Sequence, residues 1–139
     1  MLSVKMSWAG GVRFEGTGSF GHKIVTDVKK ESGGDESGFR ATELLLFGVA
    51  ACTGVDVVRI MKKQRQELTG LEIEVIGHQD EEYPKPFHTM EVKYTFRGKN
   101  LNPQKVQRAI DLSEEKYCVV SQTVKCPAEV KTSFELIEG

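Results

Sequence analysis

A proline-free segment, residues 42–68, constrains the fold more than any other part of the sequence. It is rich in leucine, alanine, lysine, glutamine and glutamate, and Gly70 follows it as a C-terminal stop signal. The segment therefore predicts one long helix. At 1.5 Å per residue, a helix of roughly 27 residues would be about 40 Å long.

The first half of this predicted helix is apolar on every side. Its apolar side chains are Leu44, Leu45, Leu46, Phe47, Val49, Ala50, Ala51, Val55, Val57 and Val58. A helix that is hydrophobic all round must be buried all round. A chain of 139 residues can hardly cover such a helix with its own sheet, so the sequence predicts a homodimer in which a second copy completes the core.

Alternating apolar and polar residues predict strands on both sides of the helix. The first third is expected to contain strands at residues 2–8, 12–15 and 22–29, a turn at Gly10 and Gly11, and a loop at 32–38. After the long helix we expect strands near 71–75 and 90–96, a helix at 103–117 capped by Asn102, and a last strand or hairpin at 128–136. The first strand is expected to bury one face. This order predicts a single α+β domain spanning residues 1–139, with antiparallel or mixed sheets packed around the buried central helix.

Composition narrows the classes of partner and compartment. Nineteen Lys and Arg residues against twenty Asp and Glu give a net charge of -1, which lacks the excess that nucleic-acid or membrane-surface binding needs. The longest apolar run, residues 44–58, is shorter than the about 20 residues of a membrane span and contains Asp56. Three cysteines and no apolar leader sequence favour a reducing, cytoplasmic compartment.

The cysteines are the residues best suited to chemistry, although a free cysteine is by default an inert, buried hydrophobe. Cys52 has small neighbours that leave room beside its sulfur, and Asp56 lies one helical turn further on the same face. We expect Asp56 to pair with Arg59 or to cap a loop. Cys118 follows the second helix, and Cys126 is expected to begin the last strand.

The histidines (His22, His78 and His88) show no metal-ligand spacing among themselves or with the cysteines, so no metal is expected.

Two segments of the chain resemble the OsmC/Ohr family. Residues 40–46 (Arg-Ala-Thr-Glu-Leu-Leu-Leu) and 50–58 (Ala-Ala-Cys-Thr-Gly-Val-Asp-Val-Val) are similar to the central helix of that family. Residues 117–121 (Tyr-Cys-Val-Val-Ser) resemble its second motif, Cys-Pro-Val-Ser, with Val119 in place of the proline. The order of elements also matches, so the resemblance extends over nearly the whole chain.

The resemblance implies an intertwined homodimer with its active site at the subunit interface. It also implies a thiol-dependent peroxidase that reduces organic hydroperoxides in the response to oxidative stress. Cys52 would be the peroxidatic cysteine and Cys118 the resolving cysteine, joined after turnover by a disulfide that an external dithiol reduces, without a cofactor. The Cys52 thiol would then need a pKa below about 8.5.

The sequence departs from the family at two supporting positions. Family peroxidases place a glutamate ten residues before the first cysteine, where Thr42 stands here, and Glu43 follows it. The candidates for the family's catalytic arginine are Arg13 and Arg40. Lys29 or Lys30 could supply the same positive charge, but a lysine cannot donate the two parallel hydrogen bonds of a guanidinium group.

Two other functions compete with the peroxidase. One is a non-catalytic dimer that binds a small apolar ligand in an interface pocket lined by Leu45, Phe47 and Val49. The other is a nucleic-acid-binding module, which the near-zero net charge and the absence of a basic strand studded with aromatic residues disfavour.

Overall fold

The computed structural model describes residues 1–126 and 129–137. The elements of this α+β chain are β1 (Met6–Trp8), β2 (Phe14–Thr17), β3 (Lys23–Thr26), a 3₁₀ turn (Lys30–Ser32), α1 (Ala41–Lys63), β4 (Glu67–Gln79), β5 (Phe87–Lys99), α2 (Pro103–Leu112), a π-helical turn (Ser113–Tyr117) and α3 (Val119–Lys125). The chain divides into two compact units. The first comprises Met1–Gly48 and Val75–Val92, and the second comprises Val49–Glu74 and the residues from Lys93 onward.

Strands β1, β2 and β3 form an antiparallel sheet in the first unit, as the sequence predicts. Gly10 and Gly11 have φ values of 95° and 55°, which confirms the turn between β1 and β2. β1 begins only at Met6, and the expectation that it buries one face is wrong, because Met6 and Trp8 are 40% and 69% exposed. β1 is a three-residue edge strand that pairs with β2 alone.

The predicted loop at residues 32–38 is confirmed, and one buried carboxylate organises it. Asp27 accepts hydrogen bonds from the backbone N–H groups of Val28, Asp35 and Ser37 at 2.8–3.2 Å and from the Ser37 hydroxyl. These bonds, with that of the Ser37 hydroxyl the most important, lower the pKa of Asp27 from 3.8 to about 2. The loop thus returns to the end of β3, where Thr26 and Phe39 form a parallel bridge.

We expect Asp27→Asn to lower the melting temperature by several degrees at neutral pH, since an amide is a weaker acceptor than a carboxylate. A carboxyl whose pKa is depressed on folding adds stability above its unfolded pKa. That contribution should be lost as the pH falls from about 4 toward about 2. Thermal unfolding followed across this range should show the difference between the two proteins shrinking with acidity. A constant difference would contradict the assignment.

Helix α1 begins with one of the two bonds of a capping box and ends earlier than the sequence predicts. The Glu43 carboxylate accepts a hydrogen bond from the backbone N–H of Arg40 at 2.9 Å. At the other end Arg65 adopts a left-handed φ of 55°, and the N–H of Gln66 donates to the carbonyl of Met61. This Schellman ending stops the helix at Lys63, so the predicted end near residue 68 is wrong.

The faces of α1 differ in burial. Val49, Thr53, Val57 and Met61 are buried, whereas Leu45, Phe47, Val55 and Val58 are 42–55% exposed. One chain therefore covers only part of α1, and the burial of the remaining faces by a second copy stays a prediction. By length and composition α1 is also apolar enough to cross a membrane, a test that the core helix of a soluble protein passes equally well.

The hydrophobic core of the second unit lies around Val57, Met61 and Ala109. Seven partly buried side chains pack against this cluster. They come from α1, β4, β5, the loop before α2, and α2: Ile60, Leu68, Leu71, Tyr94, Phe96, Leu101 and Val106. The predicted start of α2 is confirmed, because the Asn102 side chain accepts from the N–H groups of Gln104 and Lys105 and Pro103 is the first helical residue.

The C-terminal part of the chain departs from the prediction. The expected helix at 103–117 is α-helical only to Leu112 and continues as the π-helical turn. Residues 129–137 form no strand, Ala128 lies outside the described residues, and Cys126 is an exposed residue at the end of α3. Val130, Phe134 and Leu136 are 84–86% exposed, so the apolar face of the predicted strand has no cover within the described chain.

Candidate functional site

Two cysteines and a carboxylate meet in the second unit. The sulfurs of Cys52 and Cys118 and a carboxylate oxygen of Asp56 all lie within 4.8 Å of one another. Both thiols are free; Cys118 is fully buried and Cys52 is partly exposed. The structure therefore brings together the two cysteines that the sequence singled out.

Local structure fixes the position of each group. Cys52 and Asp56 are four residues apart on α1 and so share one face of the helix. The N–H of Cys118 donates to the carbonyl of Ser113 at 2.8 Å, the five-residue bond that closes the π-helical turn. Cys118 then caps α3, its sulfur accepting from the N–H of Ser121 at 3.3 Å.

The environment of Cys52 favours the neutral thiol. Burial is the main cause that raises its pKa, and the neighbouring Cys118 thiol raises it further. Hydrogen bonds from the backbone N–H groups of Val120 and Val119 act in the opposite direction but do not cancel the effect of burial. The expectation that the Cys52 pKa is lowered is therefore wrong.

The raised pKa predicts a reaction rate that increases with pH. In reduced, chelator-treated protein, alkylation of Cys52 by iodoacetamide should rise about tenfold per pH unit between about pH 7 and about pH 9, because the thiolate is the nucleophile. Peptide-resolved mass spectrometry separates Cys52 from the other cysteines. A rate that levels off at or below neutral pH would contradict the prediction.

A chain of buried hydroxyl groups ends at Asp56. The Thr53 hydroxyl is 2.8 Å from the Tyr94 hydroxyl and 2.9 Å from the Ser113 hydroxyl, which donates to the Asp56 carboxylate at 3.2 Å. A carboxylate only accepts, so the chain runs in one direction, from Tyr94 through Thr53 and Ser113 to Asp56. Burial raises the pKa of Tyr94, which is consistent with a neutral phenol that donates.

The expected role of Asp56 is wrong. Among the residues that the structure describes, it makes no ion pair with Arg59; its partner is Ser113. Thr53, Ser113 and Tyr94 were not among the functional residues expected from the sequence. A usable signal was present: Thr53 and Asp56 are polar residues within one turn of an otherwise apolar helix, and buried polar groups need partners.

The other proposed site residues belong to the first unit and have local partners there. The Arg13 guanidinium contacts the Glu15 carboxylate at 2.8 Å. The Glu43 carboxylate caps α1 by accepting a hydrogen bond from the backbone N–H of Arg40. Arg40 itself is exposed. Of the three residues predicted to line an apolar interface pocket, Val49 is 2% exposed, and Leu45 and Phe47 are 42% and 55% exposed.

The chain is similar to known proteins over most of its length. The family model described as OsmC-like protein matches residues 33–133. Protein YhfA of Escherichia coli K12 is 29% identical over 136 residues, covering 98% of each chain. A hypothetical protein from Aquifex aeolicus VF5 is 34% identical with a TM-score of 0.79, covering 94% of this chain and 92% of its own. The organic hydroperoxide resistance protein OhrB of Bacillus subtilis shares the fold, with 23% identity, a TM-score of 0.58 and coverage of 94% and 96%.

Proposed function

Because this chain belongs to the family of OsmC-like proteins, we propose that it is a cysteine-based peroxidase that reduces organic hydroperoxides. The observation that carries the proposal is the approach of the Cys52 and Cys118 sulfurs to within 4.8 Å while both are reduced. A disulfide needs an S–S distance of about 2.05 Å, so the two side chains must move closer. The fold is also that of proteins named for organic hydroperoxide resistance.

In the first step the Cys52 thiolate attacks the terminal oxygen of a hydroperoxide, ROOH. The O–O bond breaks, the alkoxide takes a proton and leaves as ROH, and Cys52 becomes a sulfenic acid. Cys52 is suited to this role because it is the more accessible of the two sulfurs. The N–H groups of Val119 and Val120 stabilise its thiolate.

In the second step the Cys118 thiolate attacks the Cys52 sulfur. The S–O bond breaks, hydroxide leaves as water after taking a proton, and an intramolecular disulfide forms. A dithiol reductant then restores both thiols by exchange and becomes a disulfide itself. This cycle needs no cofactor and suits a reducing cytoplasm, where we place the protein.

We also propose that the working form is a homodimer. The exposed apolar face of α1, with Val55 and Val58 half exposed, is the kind of surface that a second copy covers. We infer no nucleic-acid or membrane partner, in keeping with the near-zero net charge.

The direct test is to expose the reduced protein to cumene hydroperoxide and map its peptides by mass spectrometry. We expect one peptide pair linked through Cys52 and Cys118, lighter by two hydrogens, in the wild type and in Cys126→Ser alike. If both thiols stay free while a control peroxidase is oxidised, the proposal is wrong.

A further inference from the structure

We propose that Cys52, Asp56 and Cys118 also bind one divalent cation with an affinity for sulfur, Zn²⁺ being the representative ion. The inference concerns the reduced protein and does not depend on peroxidase activity. It rests on the convergence of two sulfurs and one carboxylate oxygen within 4.8 Å in the second unit.

The donor atoms and their spacing fit such an ion. Zinc binds thiolate sulfur at about 2.3 Å and carboxylate oxygen at about 2.0–2.2 Å, so two donors of one tetrahedral ion lie about 3.5–3.8 Å apart. The three donor atoms here lie within 4.8 Å of one another, so each pair must close by at most about 1 Å when the ion binds, a change that side-chain rotation can supply. Two soft thiolates favour zinc and similar ions over Mg²⁺ or Ca²⁺, which prefer oxygen.

Hydrogen bonds already hold two of the three donors, as second-shell groups do at metal sites. The Ser113 hydroxyl donates to the Asp56 carboxylate. The N–H of Ser121 donates to the Cys118 sulfur. Two of the three metal-binding atoms, the Asp56 oxygen and the Cys118 sulfur, thus already accept a hydrogen bond that orients them.

Three protein donors leave one position of a tetrahedral ion for water or a small ligand. Cys52 and Asp56 are partly exposed whereas Cys118 is buried, so we expect the ion and its fourth ligand to enter from the side of Cys52 and Asp56.

Ion binding and disulfide formation exclude each other, since both use the same two thiolates. When a hydroperoxide oxidises the pair, the two thiolates give up two electrons and form the S–S bond. ROOH accepts the electrons and, with two protons, becomes ROH and water. The ion leaves unchanged because a disulfide is no longer a thiolate ligand.

The test uses reduced, full-length, chelator-treated protein titrated with Co²⁺, followed by displacement with Zn²⁺. We expect one ion per chain and a thiolate-to-cobalt charge-transfer band. Asp56→Asn, which keeps the shape and the hydrogen bond from Ser113, should weaken binding at least about tenfold. Cys126→Ser should bind like the wild type, and disulfide-oxidised protein should not bind.

Because Asp56 lies beside a buried hydroxyl chain, circular dichroism should accompany each variant. Cys118→Ser offers a second route, since it leaves Asp56 in place and must also lose the ion. Absence of the charge-transfer band, equal affinity in Asp56→Asn and the wild type, or binding that depends on Cys126 would each overturn the proposal.

Discussion

Replacing Cys52 by serine is expected to abolish hydroperoxide reduction, with a fall in kcat/KM on the order of 10³-fold or more. A serine hydroxyl is a far weaker nucleophile than a thiolate. The measurement is consumption of cumene hydroperoxide with a dithiol reductant in excess. Cys126→Ser, which changes an exposed cysteine, is the matched control and should retain full activity.

Cys118→Ser separates the two steps of the cycle. It should still reduce about one equivalent of hydroperoxide and then stop as a sulfenic acid at Cys52, which dimedone labels. If Cys52→Ser keeps its activity, or if Cys126→Ser loses as much as Cys52→Ser, the assignment of Cys52 as nucleophile is wrong.

Charges placed on the exposed apolar face of α1 are expected to separate the dimer into single chains. The wild type should have twice the chain mass of 15.5 kDa by light scattering, and the double variant Val55→Asp, Val58→Asp should have the mass of one chain. A charge forced into an apolar interface costs at least about 2 kcal/mol, and a symmetric interface contains each substitution twice. The four new charges then cost about 8 kcal/mol together, so association should weaken on the order of 10⁵-fold or more.

The control for this experiment is Arg59→Asp. Arg59 is exposed and adjacent in sequence, but it is already charged, so its replacement should leave the dimer intact. A wild-type protein with the mass of one chain would contradict the dimer. An Arg59→Asp variant that dissociates equally would contradict the assignment of the interface to the apolar side chains Val55 and Val58.

The sequence predicted those elements whose signals are local. The Asn102 cap, the turn at Gly10 and Gly11 and the alternation along β5 all act within a few residues, and each is confirmed. The end of α1 was misplaced because its left-handed residue is Arg65 rather than a glycine. Leu68, assigned to the helix, instead packs in the core as a residue of β4.

The last predicted strand shows a different limit. Alternation in residues 128–136 indicates which side of a strand is apolar, but a strand also needs a partner with free backbone groups. A sequence pattern does not say which segment, or which chain, provides that partner.

The sequence predicted the two cysteines of the site but not the hydrogen-bonded hydroxyl groups beside them. Family motifs around Cys52 and Cys118 pointed to the pair, and the structure brings their sulfurs together. The hydroxyl chain joins Thr53 to residues 41 and 60 positions away in sequence. Only the folded chain shows such contacts, because no local pattern links residues on a helix, a strand and a turn.

The π-helical turn before Cys118 has a consequence for the pairing of the thiols. A turn closed by a five-residue hydrogen bond contains one residue more than an α-helical turn. Removing one residue between Ser113 and Cys118 would rotate the second sulfur by about 100° around the helix axis. Loop length alone, with both cysteines intact, thus decides whether the two sulfurs can meet.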